Sequence, residues 1–328
     1  MDNLAVALAV FIASAMVVVI SGIQLARHGD ALAEHTGWGH LWVGTIFLAG
    51  ATSLPELFTD SIAVLIGATA IGIGDILGSN MVNIFMLGIV GMTLTLLKKG
   101  FFYHVTRETR VLVLVTIVLA TLVLTLAWTG TDASVWIFST GGMAIVGAYL
   151  LGMRLVYSAG SNEPEYAPPR DAVLLKRAWR GFLMAAGAIA VAAPFLAISA
   201  DGIAGATGLS GSFIGILFVS VVTSLPEASA IVESARQRNY ALITGNLYGS
   251  CTFNLVILAI MDPLYNEGTI LGAFGSGHHA AALIGVGLMV LGGIAMLKPR
   301  LMGIPRWLAL GGMLVIYPVG VYWVFTLG

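Results

Sequence analysis

One five-residue motif occurs twice in this chain, as Thr52-Ser53-Leu54-Pro55-Glu56 and as Thr223-Ser224-Leu225-Pro226-Glu227. In each copy two hydroxyls precede a carboxylate by four and three residues, so on a helix all three share one face. The proline beside each glutamate lacks a backbone N–H and loosens the helix, which can free carbonyl oxygens upstream. A second polar pair follows at helical spacing, Ser79 with Asn83 and Ser250 with Asn254. Together Thr52, Ser53, Glu56, Ser79, Asn83, Thr223, Ser224, Glu227, Ser250 and Asn254 offer carboxylates, hydroxyls, amide oxygens and carbonyls. Such an all-oxygen set suits hard cations: Ca²⁺ takes six to eight oxygen ligands, and Na⁺ is a hard ion of similar size. Two carboxylates balance one Ca²⁺, two Na⁺ or two H⁺. Mutually exclusive occupancy of one set by different ions is the simplest chemistry for antiport.

The elements that hold these residues follow from composition. Of 328 residues, 58% are hydrophobic and 9% charged, with a formal net charge of −1 and a mean hydropathy of +0.96. A soluble domain carries about 25% charged residues. The composition therefore excludes a soluble enzyme, a nucleic-acid binder that neutralises phosphates and a disordered scaffold. A single cysteine, Cys251, excludes an intrachain disulfide framework. A membrane helix needs about 20 mostly apolar residues, and ten windows qualify: 4–25, 41–66, 71–97, 111–128, 135–153, 181–200, 213–235, 241–261, 280–297 and 307–327. The first has no basic n-region and is too long for a typical signal-peptide core, so it reads as a retained span. Glu56 and Glu227 fall near the middle of their windows, with no Lys or Arg in the middle of any window to neutralise them.

A shift of 171 residues superposes the two motifs without a gap. It also pairs Gly74 with Gly245, Gly78-Ser79 with Gly249-Ser250, Asn83 with Asn254, and Thr36-Gly37 with Thr207-Gly208. The least hydrophobic stretch, 154–180, divides the windows five and five. The domain reading is thus a first five-helix repeat over 1–153, a linker over 154–180, and a second repeat over 181–328. Five spans per copy invert the second copy in the membrane. Lys and Arg collect in cytoplasmic loops. With both termini outside and the linker in the cytoplasm, all fifteen Lys and Arg fall on the inner side. The expected fold class is an all-α integral membrane protein of ten transmembrane helices arranged as two inverted five-helix repeats. Such repeats place a site of broken helices near the midplane and let one bundle rock against the other.

Thr-Ser-Leu-Pro-Glu followed by Gly-Asx-x-x-Gly-Ser and then Asn, present twice, resembles the alpha repeats of the calcium/cation antiporter superfamily, and most closely its prokaryotic sodium/calcium exchangers. The resemblance covers both repeats and implies that the ten residues named above are the cation ligands. It also implies alternating access, with the first and sixth spans sliding across the other eight. The sequence departs from the family in carrying Asn at both 83 and 254, where one repeat often has Asp. It also carries Gly74-Asp75 where Gly-Asn is usual.

Asp60 and Asp75 have no acidic counterpart in the second copy, where Ile231 and Asn246 stand. They are expected to line an outer vestibule that gathers cations or protons. Cys251 reads as a small packing residue, Glu233 as a rim group, and Asp30 and Asp201 as capping or turning residues at span ends. An intramembrane hydrolase lacks a base, since no His or Lys lies at midplane depth. A sensor without transport fits poorly with a repeated site. The expectation is a secondary antiporter, not an enzyme, exchanging Ca²⁺ for Na⁺, with H⁺-coupled exchange of Ca²⁺ or another cation as the alternative. It would need no cofactor beyond the transported Ca²⁺, Na⁺ or H⁺. Its partners would be inorganic cations and the lipid bilayer, with no nucleic acid and no protein partner inferable. Its expected place is the cytoplasmic membrane.

Overall fold

A computed structural model describes residues 3–36, 49–97, 99, 105–130, 134–135, 138–160, 172–236, 238, 240–296 and 305–327. Helix α1 spans Leu4–Thr36. After it come the short α2 (Ala49–Thr52), α3 (Leu54–Leu65), α4 (Thr69–Leu96), α5 (Arg107–Thr129), α6 (Thr140–Ala159) and α7 (Ala172–Thr207). Helix α8 (Gly211–Thr223) contains a π-helical stretch at Ile214–Val219 and bends by 41° into α9 (Leu225–Arg236). The chain ends with α10 (Tyr240–Met261), α11 (Ser276–Met296) and α12 (Arg306–Thr326). Among the described residues, eight helices are long and apolar enough to cross a membrane, and the bent α8–α9 pair makes nine. Residues 41–48 of the second predicted window lie outside the described residues.

Several expected boundaries need correction. The windows 4–25 and 181–200 are parts of helices of 33 and 36 residues. At a rise of about 1.5 Å per residue these run to about 50 Å, well past a hydrocarbon core of about 30 Å. Hydropathy marks the part of a helix that meets lipid, and the polar turns beyond it carry no such signal. For the same reason α6 and α7 extend into the expected 154–180 linker from both sides, and 161–171 lies outside the described residues. Asp30 and Asp201 sit within α1 and α7 rather than at helix ends, and Asp201 is exposed. The window 135–153 starts late: Ser134–Val135 pairs antiparallel with Phe138–Ser139, and helix begins only at Thr140. There the Ser139 hydroxyl accepts the Gly142 N–H at 2.9 Å, a helix cap. Asp262 pins this corner, accepting the N–H of Ser139 at 2.8 Å and of Ile270 at 2.9 Å.

Helix α4 is the axis of the molecule. Every residue from Ile71 to Ile84 is buried, the polar Asp75, Ser79, Asn80 and Asn83 included, so the helix is enclosed by protein on all faces. The main hydrophobic core joins α4, α5, α6, α8, α10, α11 and α12, and takes no buried residue from α1 or α7. Those two long helices pack along each other. They meet the rest through two smaller clusters that include Ala7, Ala63, Ala68, Ala192, Ala197 and Ala200, and Ala51 and Ala185.

The approach of α8 to α4 depends on absent side chains. A Cβ on Gly78 would lie 2.6 Å from the Ile216 Cα, and one on Gly215 would lie 2.9 Å from the Asp75 nitrogen. Both conflicts are with backbone, which no rotamer change relieves. Gly78→Ala should force the helices apart and destabilise the protein by about 1–3 kcal/mol, as overpacking does. The check is a lower thermal unfolding midpoint for the detergent-purified variant.

Candidate cation site

Two helix breaks create the site. Ser53 (φ −87°, ψ 9°) separates α2 from α3, and Ser224 (φ −84°, ψ 0°) separates α8 from α9. Both breaks fall one residue before the Leu-Pro step. Pro55 and Pro226 cannot supply the N–H that would close on the carbonyls of Ala51 and Val222. Each break starts a new helix whose first turn carries a glutamate, Glu56 and Glu227. A carboxylate there meets unsatisfied backbone N–H groups and the positive end of the helix dipole.

All ten residues of the expected set are buried, none more than 1% exposed. The Thr52 hydroxyl lies 3.2 Å from that of Ser250. The Ser79 hydroxyl lies 3.3 Å from that of Thr223. These contacts are each other's image under the 171-residue shift, which carries 52 to 223 and 79 to 250. Further pairs follow suit. Ser79 donates to Asp75 Oδ1 at 3.2 Å, as Ser250 does to Asn246 Oδ1 at 3.5 Å. Asn254 Nδ2 donates to Asn80 Oδ1 at 3.3 Å, while Asn83 lies against Cys251. The Cys251 thiol donates to the Asn80 carbonyl at 3.8 Å, joining two residues that the shift superposes. The two copies of the motif thus contact each other reciprocally, each threonine against the other copy's serine.

The glutamates complete the arrangement. Glu56 lies within Coulombic reach of Glu227 and Asp75 and beside the Thr223 hydroxyl. Glu227 lies beside Thr52 and Ser250. Ser53 and Ser224 sit at the breaks. Thirteen buried side-chain atoms have no hydrogen-bond partner within the protein, and twelve are oxygens: Ser53, both of Glu56, Thr59, both of Asp60, Asp75 Oδ2, Asn83, Ser224, both of Glu227, and Asn254. Buried polar atoms are normally paired, so this concentration marks a place built to hold something else. Among the described residues no Lys, Arg or His forms an ion pair with these carboxylates. Nor do any three His, Cys, Asp or Glu side chains converge to hold a metal by themselves, so neutral oxygens must complete a cation's shell.

Asp60 and Asp75 depart from expectation. Both are 0% exposed, so in this conformation they do not line a vestibule open to solvent. Asp75 accepts hydrogen bonds from Ser79 and, at 3.0 Å, from Thr223, and Asp60 lies against Asp75. Helix α4 is enclosed on all sides at this depth, which a reading of loop distance could not anticipate. Glu233 lies at the surface beside Arg236, 3.8 Å away, as a rim group would. Two contributors escaped the sequence reading: Asn80, the partner of Asn254, and Thr59, three residues after Glu56. Helical spacing from Asn83 and Glu56 is the signal that points to each.

Membrane-spanning helices broken at two buried glutamates, amid oxygens and without basic partners, define an integral membrane protein that handles cations. Comparison with known proteins gives the family. The family model described as "Sodium/calcium exchanger protein" matches the chain twice, over residues 6–158 and 177–326. The chain belongs to that family and is a cation antiporter of the calcium/cation antiporter superfamily, resembling the prokaryotic sodium/calcium exchangers. The two matches start 171 residues apart (177 − 6), the register of the motifs. The inner membrane protein YrbG of Escherichia coli (strain K12) is 25% identical over 275 residues, 80% of this chain and 81% of that one. Among solved structures, the sodium-calcium exchanger NCX_Mj matches 98% of this chain and 99% of its own, with a TM-score of 0.63 and 20% identity. The H⁺/Ca²⁺ exchanger CAX matches 97% and 88%, with a TM-score of 0.68 and 12% identity.

The reciprocity of the hydroxyl contacts is open to measurement. Double-mutant cycles for Thr52→Val with Ser250→Ala and for Thr223→Val with Ser79→Ala should give coupling energies of the same sign, about 0.5–1.5 kcal/mol each. The second should be larger, because its hydroxyls also share Asp75. Thermal unfolding in detergent provides the readout.

Proposed function

We propose that this chain is a ten-span antiporter that exchanges Ca²⁺ for Na⁺ by alternating access at a midplane site. In this reading its two five-helix halves are inverted copies, with both termini outside and the 154–180 linker in the cytoplasm. The ligands are Thr52, Ser53, Glu56, Ser79, Asn83, Thr223, Ser224, Glu227, Ser250 and Asn254. One observation carries the proposal: twelve unpartnered buried oxygens gather where two helices break at equivalent positions. The reciprocal hydroxyl contacts and the doubled family match support the inverted repeat.

An uncompensated charge at the centre of a membrane helix costs about 2.5–3.5 kcal/mol. The two glutamates can be held there if a cation neutralises them, and one Ca²⁺ matches their joint charge. Ions that compete for one set of oxygens exchange rather than travel together. The moving element in this scheme is the α1–α7 pair. It contributes no buried residue to the main core and meets the rest through two smaller clusters.

The test is ⁴⁵Ca²⁺ uptake into proteoliposomes, driven separately by outward Na⁺ and outward H⁺ gradients. Sodium-driven uptake is expected. Glu56→Gln and Glu227→Gln should each slow it by at least about tenfold, the equivalent of 1.4 kcal/mol of lost cation affinity. Uptake driven only by protons would replace the sodium reading with proton-coupled exchange. No uptake under either gradient would remove calcium from the assignment.

A further inference from the structure

Two of the four buried carboxylates have no acidic counterpart under the 171-residue shift. Asp60 and Asp75 face each other where the second copy has Ile231 and Asn246. Both carboxyl groups are fully buried. Asp60 Oδ1 and Oδ2, Asp75 Oδ2 and the Thr59 hydroxyl have no hydrogen-bond partner. Asp75 Oδ1 is already engaged by Ser79 and Thr223, both members of the central set. The contact is built into the backbone: a Cβ on Gly72, three residues before Asp75, would lie 3.1 Å from the Asp60 carbonyl oxygen and 3.3 Å from its Cα. Glycine there lets α3 and α4 close until the two carboxylates meet.

We propose that Asp60 and Asp75, with Thr59, form a second cation subsite that takes one monovalent alkali ion, Na⁺ in the reading above, on which this inference rests. Two adjacent carboxyl groups with no basic partner among the described residues need a cation or a shared proton between them, and the unpartnered Thr59 hydroxyl beside them adds a neutral oxygen of the kind that a cation uses. Four free oxygens are too few for Ca²⁺, which takes six to eight, and the absence of three converging carboxylates among the described residues points the same way. Thr223 and Ser79 join this subsite to the central one. An ion drawing on Asp75 alters the hydroxyls that a divalent ion would use next to Glu56. The divalent ion thus occupies the two-fold site, and the coupling ion gains an extra position on one side of it only.

The experiment titrates purified protein in detergent with Na⁺ alone and with Ca²⁺ alone, following heat of binding. The same variants are then assayed for ⁴⁵Ca²⁺ exchange in proteoliposomes. Asp75→Asn installs the residue type that the second copy carries at 246, and Asp60→Asn keeps the side-chain shape. Each should weaken Na⁺ binding by at least about tenfold more than Ca²⁺ binding, the scale expected for removing one partner of a buried charge cluster. The double variant should bind about one Na⁺ fewer. Gly72→Ala, which wedges α3 from α4 without touching a ligand, should shift Na⁺ in the same direction. Equal weakening of both ions, or no weakening of Na⁺, overturns the subsite. Loss of Ca²⁺ affinity on acidification, with no Na⁺ binding to the wild type, overturns it in favour of a proton. If the wild type binds Na⁺ as described yet exchanges no ⁴⁵Ca²⁺, the antiport reading fails and the binding data still decide the subsite.

Discussion

Four carboxylates, Glu56, Asp60, Asp75 and Glu227, are completely buried without a basic partner among the described residues, and the rest of the structure answers to that constraint. Charge in a low-dielectric interior is costly unless it is paired and hydrogen-bonded. No described lysine or arginine pairs with these carboxylates. Instead the chain surrounds them with hydroxyls and amides, which can share a cation but cannot replace one. A fixed internal cation would make the cluster a permanent structural feature. Leaving the charge for an exchangeable ion ties the energy of the protein core to the contents of the solution on either side, which is what an antiporter requires.

Placing such a cluster demands backbone close to backbone. Side-chain oxygens on regular helices rarely surround a point, because each helix offers one face. Breaking α2–α3 and α8–α9 at Ser53 and Ser224 turns helix ends toward the centre. Gly78 and Gly215 then let α8 press against α4 at a separation that no Cβ would permit. The π-helical stretch Ile214–Val219 falls in this contact, consistent with the tendency of such distortions to occur at functional sites. By contrast, α1 and α7 meet their neighbours outside the main core, through clusters that mix alanines with larger residues such as Phe11, Val18, Leu25, Ile189 and Leu196. The molecule thus has one core around α4 and separate, smaller contacts under the α1–α7 pair.

Much of this was legible in the sequence because membrane burial and repetition leave strong signals. The polar residues at 52, 53, 56, 79 and 83 stand out against an apolar background, and their recurrence 171 residues later fixes the register. Every one of them is buried in the structure. Nine of the ten hydropathy windows overlap long helices or the bent pair, and the described part of the tenth is helical as well. Helix ends were less legible: hydropathy tracks contact with lipid, while the last turns of α1 and α7 project beyond it with ordinary polar residues. The depth of Asp60 and Asp75 was not legible at all. Distance along the chain places them one turn from the glutamates, but their enclosure depends on α4 being packed on every side, a tertiary fact.

The repeated motif also explains why the positions at which its copies differ matter. Residues common to both copies offer the same ligand types twice and tell ions apart by charge and size. Specificity is a difference of affinities, and positions where the copies differ add to it. Three of those positions lie among the buried groups of the site. Asp75 replaces the amide found at Asn246, Asp60 replaces the apolar Ile231, and Cys251 replaces the amide of Asn80. The first two add charge to one half only. Cys251 removes an amide from the axis, so Asn80 bonds to Asn254 and the mirrored contact leaves both polar atoms of Asn83 unpartnered. Each change alters the polar groups that one half offers and the other does not. In a chain that carries the same motif twice, these unmatched side chains are where ions can be told apart by more than charge and size.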